Sequence, residues 1–273
     1  MSEAESFQTS NSGYRVLARK YRPTDFSGLI GQEPMVRTLT NAFATGRIAQ
    51  AWMLTGVRGV GKTTTARILA RALNYKTATV DQPSVELTEI GEHCRAIMEG
   101  RHVDVIEMDA ASHTGIDDIR DIIDRVRYAP VAARYKVYII DEVHMLSRGA
   151  FNALLKTLEE PPPGAIFLLV SHQADRLLPT IRSRCQLVAM PRPAREEALA
   201  WLAASGQPGA ERALALTGGA PLAAAERTQS VVLAAQMATD LSRRPVDPIV
   251  VADGYSTVSV AEFVDLLQKW LHD

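Results

Sequence analysis

Gly56-Val57-Arg58-Gly59-Val60-Gly61-Lys62-Thr63 meets every fixed position of G-x-x-x-x-G-K-[ST], and this limits the fold severely. The pattern works only where a buried strand runs into a tight loop that opens a helix. Glycines let the backbone curl until several N–H groups face one anion. The helix start adds its positive end. Both flanks comply: Ala51-Trp52-Met53-Leu54-Thr55 reads as the entering strand, and Thr64 to Leu73 as the helix leaving from near Lys62. Lys62 is expected to reach the β and γ phosphates of ATP, and the Thr63 hydroxyl to ligate Mg2+. The candidate nucleotide-binding set is Gly56, Val57, Arg58, Gly59, Val60, Gly61, Lys62, Thr63 and Thr64.

Further along, the apolar run Val137-Tyr138-Ile139-Ile140 ends in Asp141-Glu142. A surface turn after a core strand would produce the same letters. Beside a phosphate loop, Asp141 is expected near the magnesium ion and Glu142 against the attacking water, because phosphoryl transfer is catalysed mainly by positioning and charge neutralisation.

Around these motifs, strand-like and helix-like segments alternate. Helix signals run to Ala44. Val103 to Met108 reads as a second strand, Val137 to Ile140 as a third and Ile166 to Val170 as a fourth. Residues 78–92 read as an excursion without periodicity, followed by a short helix from His93 to Met98. Gly115 to Val126 carries Ile116, Ile119, Ile122, Ile123 and Val126 at helical spacing. Phe151 to Leu158 reads as a helix stopped by Pro161-Pro162-Pro163. The alternation implies an α/β fold: a parallel, doubly wound sheet with ligands at its carboxyl edge. From Pro191 the chain turns alanine-rich, broken at Gly206-Gln207-Pro208-Gly209 and Gly218-Gly219-Ala220-Pro221. The expected division is a disordered tail over 1–13, a nucleotide-binding domain over 14–190, a helical lid over 191–228 and a partial helical domain over 229–273. The last helix, Val260 to Leu271, presents Phe263, Leu266, Leu267, Trp270 and Leu271 on one face. Packing within the chain or contact with another subunit would each account for that face.

A chain of 273 residues with 47% hydrophobic content has enough material for a core and two or three compact units. Its net charge of −1 announces no nucleic-acid binder, so any DNA contact must be local. Cys94 and Cys185 belong to no ligand-spaced cluster, which suits a reduced cytoplasmic protein. No run of about 18 apolar residues offers a membrane span, and Met1 to Gly13 lacks a signal-peptide core.

The phrases Val16-Leu17-Ala18-Arg19-Lys20-Tyr21-Arg22-Pro23, Gly56 to Thr63, Glu107-Met108-Asp109-Ala110-Ala111-Ser112, Tyr138 to Ser147 and Asn152 to Pro162 closely resemble bacterial DNA polymerase III clamp-loader AAA+ subunits. Residues 14–163 resemble the gamma/tau subunit. Residues 164–273 are closer to delta-prime, on Phe167-Leu168-Leu169-Val170-Ser171-His172, Leu177 to Cys185, Gly218 to Pro221 and Leu267 to Leu271. The chain thus reads as a gamma-like head joined to a delta-prime-like tail, changing near Pro161 to Gly164.

The resemblance implies an AAA+ ATPase that loads a sliding clamp on primed DNA within a hetero-oligomeric ring. It implies that Ser171 senses the γ phosphate where gamma has a threonine. It implies that Arg184, in Ser183-Arg184-Cys185, acts on a neighbouring subunit's ATP, the catalytic set being Lys62, Glu142 and Arg184. Gamma-type chains carry a four-cysteine zinc module after the loop helix. Here only Cys94 remains, too few ligands for structural zinc, so no zinc is expected and packing must hold the excursion. The lid arginine of gamma is replaced by Ala220-Pro221-Leu222, with Arg227 a turn or two later. Residues 229–273 are shorter than the family's ring-forming collar. Arg125, Arg127 and Arg148 are candidates for DNA contact, and a solvated face explains them equally well. The alternative to a motor is a stator-like subunit that holds nucleotide idle and donates Arg184. A different AAA+ machine, such as a Holliday-junction motor, fits the phrases less well.

Overall fold

The structure, a computed structural model, describes residues 23–113, 115–206, 209–225 and 239. The expected tail over 1–13, the phrase at 16–22, Arg227 and the terminal helix Val260 to Leu271 lie outside the described residues. The chain divides into two compact units between Ala194 and Arg195.

The larger unit is built on five parallel strands, β1 (Ala51–Thr55), β2 (Val105–Asp109), β3 (Lys136–Asp141), β4 (Ala165–Ser171) and β5 (Gln186–Ala189), in the order β2-β3-β4-β1-β5. β3 and β4 are almost wholly buried, as strands covered on both faces must be. Alternate residues serve opposite faces. Trp52, Leu54, Val137, Ile139, Ile166, Leu168 and Val170 pack with α1 (Glu33–Ala44), α2 (Lys62–Leu73) and α3 (Cys94–Met98). Ala51, Met53, Tyr138, Ile140, Phe167 and Leu169 pack with α4 (Ile116–Val126), α5 (Arg148–Glu159) and α6 (Pro179–Arg182). The expected doubly wound α/β sheet is therefore present.

Local chemistry sets the boundaries. The Ser147 hydroxyl accepts the Ala150 N–H and starts α5 at Arg148, earlier than Phe151. β2 starts at Val105 rather than Val103, because Asp104 is spent on a turn. Its carboxylate, fully buried, accepts the N–H groups of Val131, Ala132 and Ala133 at 2.8, 2.7 and 2.8 Å. β5 has only Val188 buried along its length, so periodicity did not reveal it.

The excursion after α2 is held by polar side chains as much as by packing. Arg71 is buried, and its guanidinium donates to the carbonyls of Thr24, Leu87 and Glu89 and to Cys94 Sγ. The Tyr75 hydroxyl donates to the Glu89 carbonyl and accepts the Glu89 N–H. Asn74 exchanges two hydrogen bonds with the Tyr135 backbone. His93 and His102 meet at 3.0 Å, and the Asp104 N–H donates to His102 Nδ1.

In the second unit, α7 (Arg195–Ala204) and α8 (Ala210–Leu216) bury Ala198, Leu202, Ala213 and Leu214, with Ala224, in a small core. No helix among the described residues is long and apolar enough to cross a membrane.

Candidate functional site

β4 lies between β1 and β3, and Thr55 is the register partner of Ser171. The loop after β1, the acids after β3 and the last residue of β4 therefore share the carboxyl edge of the sheet.

The loop follows from its glycines. A Cβ on Gly56 would fall 2.5 Å from the Met190 carbonyl oxygen, so only glycine can leave β1 this close to the end of β5. Gly59 and Gly61 have φ of 81° and 102°, which side chains disfavour. Val60 is buried beneath the loop, while Arg58 stands exposed. Gly61 precedes α2 without a side-chain cap, leaving the first N–H groups of the helix for an outside acceptor. Lys62 is buried, and its Nζ donates to the Val57 carbonyl at 2.8 Å. Burial lowers the Lys62 pKa from the usual lysine value, opposed by the charges of Glu142 and Asp141. A cation so placed, held by one neutral carbonyl, is matched to a polyanion. Thr64 is buried in the first turn of α2.

The Thr63 hydroxyl donates to Asp141 Oδ2 at 2.6 Å, and the Glu142 N–H donates to Asp141 Oδ1 at 2.9 Å. Burial raises the Asp141 carboxyl above its ordinary range, and these two hydrogen bonds hold it down in part. A hydroxyl and a carboxylate in contact are a hard-oxygen pair that fits Mg2+.

Glu142 has φ of 48°, the one positive value at a non-glycine position among the described residues. Such a backbone is costly and aims the side chain by force. Its Oε2 lies 2.7 Å from His172 Nδ1 and 3.4 Å from His144 Nδ1. The Gln173 amide nitrogen stands 3.0 Å from His172 Nε2. In that orientation Nε2 accepts, so Nδ1 carries the proton and donates to Glu142. Ser171 Oγ is 3.1 Å from His144 Nδ1 and accepts the Gln173 N–H. Burial lowers the His144 pKa, which favours a neutral ring.

The structure thus brings the loop, Lys62, Thr63, Asp141, Glu142 and Ser171 to one edge. Arg184 belongs to a different set of contacts: it donates to the Thr180 carbonyl at 2.7 Å and to Glu159 Oε1 at 2.6 Å. Arg127 faces Asp124 at 3.8 Å, and Arg148 opens α5. Sequence reasoning missed His144, His172 and Gln173 as neighbours of Glu142. No motif marks His144, two residues after Glu142, and only the adjacency of β3 and β4 brings His172 and Gln173 to it.

Residues 31–194 match the protein family described as DNA polymerase III, delta subunit. The chain is similar to DNA polymerase III subunit tau of Escherichia coli (strain K12), with 52% identity over 172 residues, 63% of this chain and 26% of that protein. It is 49% identical to DNA polymerase III subunit gamma of Buchnera aphidicola subsp. Schizaphis graminum over 172 residues, 63% of this chain and 46% of that protein. The chain spans a quarter to a half of the length of these relatives. A solved DNA polymerase III gamma subunit-related protein from Thermotoga maritima superposes with a TM-score of 0.47 and 20% identity, covering 86% of this chain and 77% of that one.

Proposed function

The chain belongs to the DNA polymerase III, delta subunit family, and from that premise we propose that it is an ATP-binding and ATP-hydrolysing clamp-loader subunit. In this reading it works with other subunits of a ring, in the cytoplasm, to place a sliding clamp on primed DNA. The observation that carries the proposal is the contact of Thr63 with Asp141 at 2.6 Å beside a buried Lys62. It joins the phosphate loop to the acidic strand end in one site.

The roles follow from that geometry. Loop N–H groups from Gly56 to Thr64 and the Lys62 ammonium hold the phosphates. Thr63 and Asp141 hold Mg2+, which supplies charge neutralisation at the phosphates when bound. Glu142 orients the attacking water once its carboxylate is released from His172. Ser171, between the loop and Glu142, meets the γ phosphate. Arg184 serves a neighbouring chain's ATP after leaving Glu159, so the isolated chain hydrolyses slowly. Residues 14–190 form the AAA+ domain, 191–228 the lid and 229–273 part of a helical collar. A structural zinc at Cys94 has no part in this scheme.

Steady-state ATPase assays test it, run on this chain with and without the other clamp-loader subunits, clamp and primed DNA. Stimulated turnover that falls about 10²–10³-fold in Lys62→Ala is expected. Tight ATP binding with no turnover in any mixture would instead identify an idle stator.

A further inference from the structure

Glu142, His144 and His172 each place one ligand atom so that the three lie within 4.8 Å of one another. We propose that these three side chains form a binding site for a borderline-soft divalent transition metal of the Zn2+ class, distinct from the Mg2+ pair Thr63 and Asp141.

Two of the three ligand separations are close to what such an ion needs. Zinc–nitrogen and zinc–oxygen bonds of about 2.0–2.2 Å in a tetrahedron put ligand atoms about 3.3–3.5 Å apart. Glu142 Oε2 is 3.4 Å from His144 Nδ1 and 2.7 Å from His172 Nδ1. The second distance is short because a proton now bridges that pair, and it opens by a fraction of an ångström when a cation replaces the proton. The proton leaves Nδ1 for solvent, His172 Nε2 takes one up, and the Gln173 amide turns its oxygen to accept it. An outer partner is already in place on His172, whose Nε2 faces the Gln173 amide, whereas on His144 the Ser171 hydroxyl occupies the same Nδ1 and gives way to the ion. All three ligands sit at the ends of β3 and β4 or in the turn Val143–Met145 that follows. The His144 side chain is 1% exposed, while Glu142 and His172 are 22% and 25% exposed. One side of the site is therefore walled and the other open to a water ligand. Two imidazoles and a carboxylate suit zinc, copper or nickel, whereas Mg2+ prefers oxygen ligands.

A metal held here takes up the Glu142 oxygen that would accept a proton from water. Nucleotide stays bound and hydrolysis stops. That consequence rests on the function proposed above; the site itself does not.

Cobalt is the probe. Titrating Co2+ into the untagged, nucleotide-free chain should develop tetrahedral visible absorption at one equivalent, bleached by Zn2+. His172→Ala and His144→Ala should abolish the band, and Gln173→Ala should weaken binding about 10–100-fold. Circular dichroism establishes that each variant is folded; should His144→Ala fail to fold, His172→Ala and Gln173→Ala decide. Absence of the band, or a band that survives His172→Ala and is lost in His93→Ala, overturns the site, because His93 and His102 are another imidazole pair among the described residues, meeting at 3.0 Å. In the second arm, Zn2+ should suppress Mg-ATP turnover at the concentration that bleaches cobalt, leaving ATP bound. Zinc binding without suppression overturns the inhibitory role. A metal-free chain with no turnover in any mixture defeats the motor reading and leaves the cobalt result standing.

Discussion

Asp104 and Asp141 sit at opposite ends of the neighbouring parallel strands β2 and β3, and the two ends treat a carboxylate in opposite ways. Burial alone would raise both. At Asp104 the three backbone N–H groups outweigh burial and hold the carboxyl below its ordinary range. At Asp141 burial wins over the Thr63 hydroxyl and the Glu142 N–H, and the carboxyl stays raised. The amino end of the sheet is saturated by partners that cannot leave. At the carboxyl end, the groups hold one another: Thr63 with Asp141, Lys62 with the Val57 carbonyl, Glu142 with His172. Those partners can be exchanged for a ligand without leaving buried backbone unpaired. Polar groups that fix the fold and polar groups that act on a ligand differ here in who their partners are, more than in burial.

The sharpest attack on that contrast is Asp104→Asn. One amide oxygen cannot accept three N–H groups, so the variant should lose about 2–3 kcal/mol by urea unfolding at neutral pH. A depressed folded-state pKa gives stability that is present above the unfolded value and lost as pH falls through the folded one. The gap between wild type and variant should therefore narrow below about pH 4. A gap that stays constant on acidification would mean that the carboxylate charge is not what holds the turn.

This contrast also explains what the sequence disclosed. The loop and Asp141-Glu142 were legible because each is contiguous and each motif carries its own strand or helix context. β1, β3 and β4 were legible because continuous apolar runs mark strands buried on both faces. β5 was not, since Gln186, Leu187 and Ala189 are exposed and a short edge strand has no pattern. Asp104 looked like part of a strand and is a loop anchor, because its partners lie on the segment after α4. Arg71 offered no sign of becoming the hub of the excursion, its acceptors being carbonyls, which carry no letter. His172 faces Glu142 for the same reason: tertiary adjacency of two strands, unrelated to spacing.

On β3 lies a group with no partner of either kind. Tyr138 is fully buried, stacked on Phe167 at 5.4 Å, and its hydroxyl lacks a hydrogen-bond partner among the described residues. Tyr138→Phe removes that unpaired oxygen and should stabilise the protein by about 1 kcal/mol. Burial pushes the Tyr138 pKa up to about 12 from 10.0. A raised folded-state pKa gives stability that is complete below the unfolded value, so wild type should lose it as pH climbs from about 10 to about 12. The variant lacks this loss. Cys185, raised by burial to about 11, contributes a loss of the same sign to both proteins, and the difference between their alkaline unfolding curves isolates the tyrosine. A variant less stable than wild type would show that the hydroxyl is satisfied after all.

The smallest expected effect on stability tests the other half of the comparison. Asp141→Asn keeps an oxygen for the Thr63 hydroxyl, and the loss of the oxygen that accepts the Glu142 N–H is offset by removal of a charge that burial disfavours. The nucleotide-free protein should unfold within about 0.5 kcal/mol of wild type, as for substitutions away from fixed networks. What should disappear is the stabilisation by ligand. Saturating wild type at about 100 times the dissociation constant with Mg-ATP adds about 2.7 kcal/mol by mass action, and the variant should show far less of it. Thermal melts with and without Mg-ATP decide the matter. If Asp141→Asn instead destabilises the free protein as strongly as Asp104→Asn, then Asp141 is a structural anchor, both ends of the sheet are locked alike, and exchangeable pairing does not mark the site.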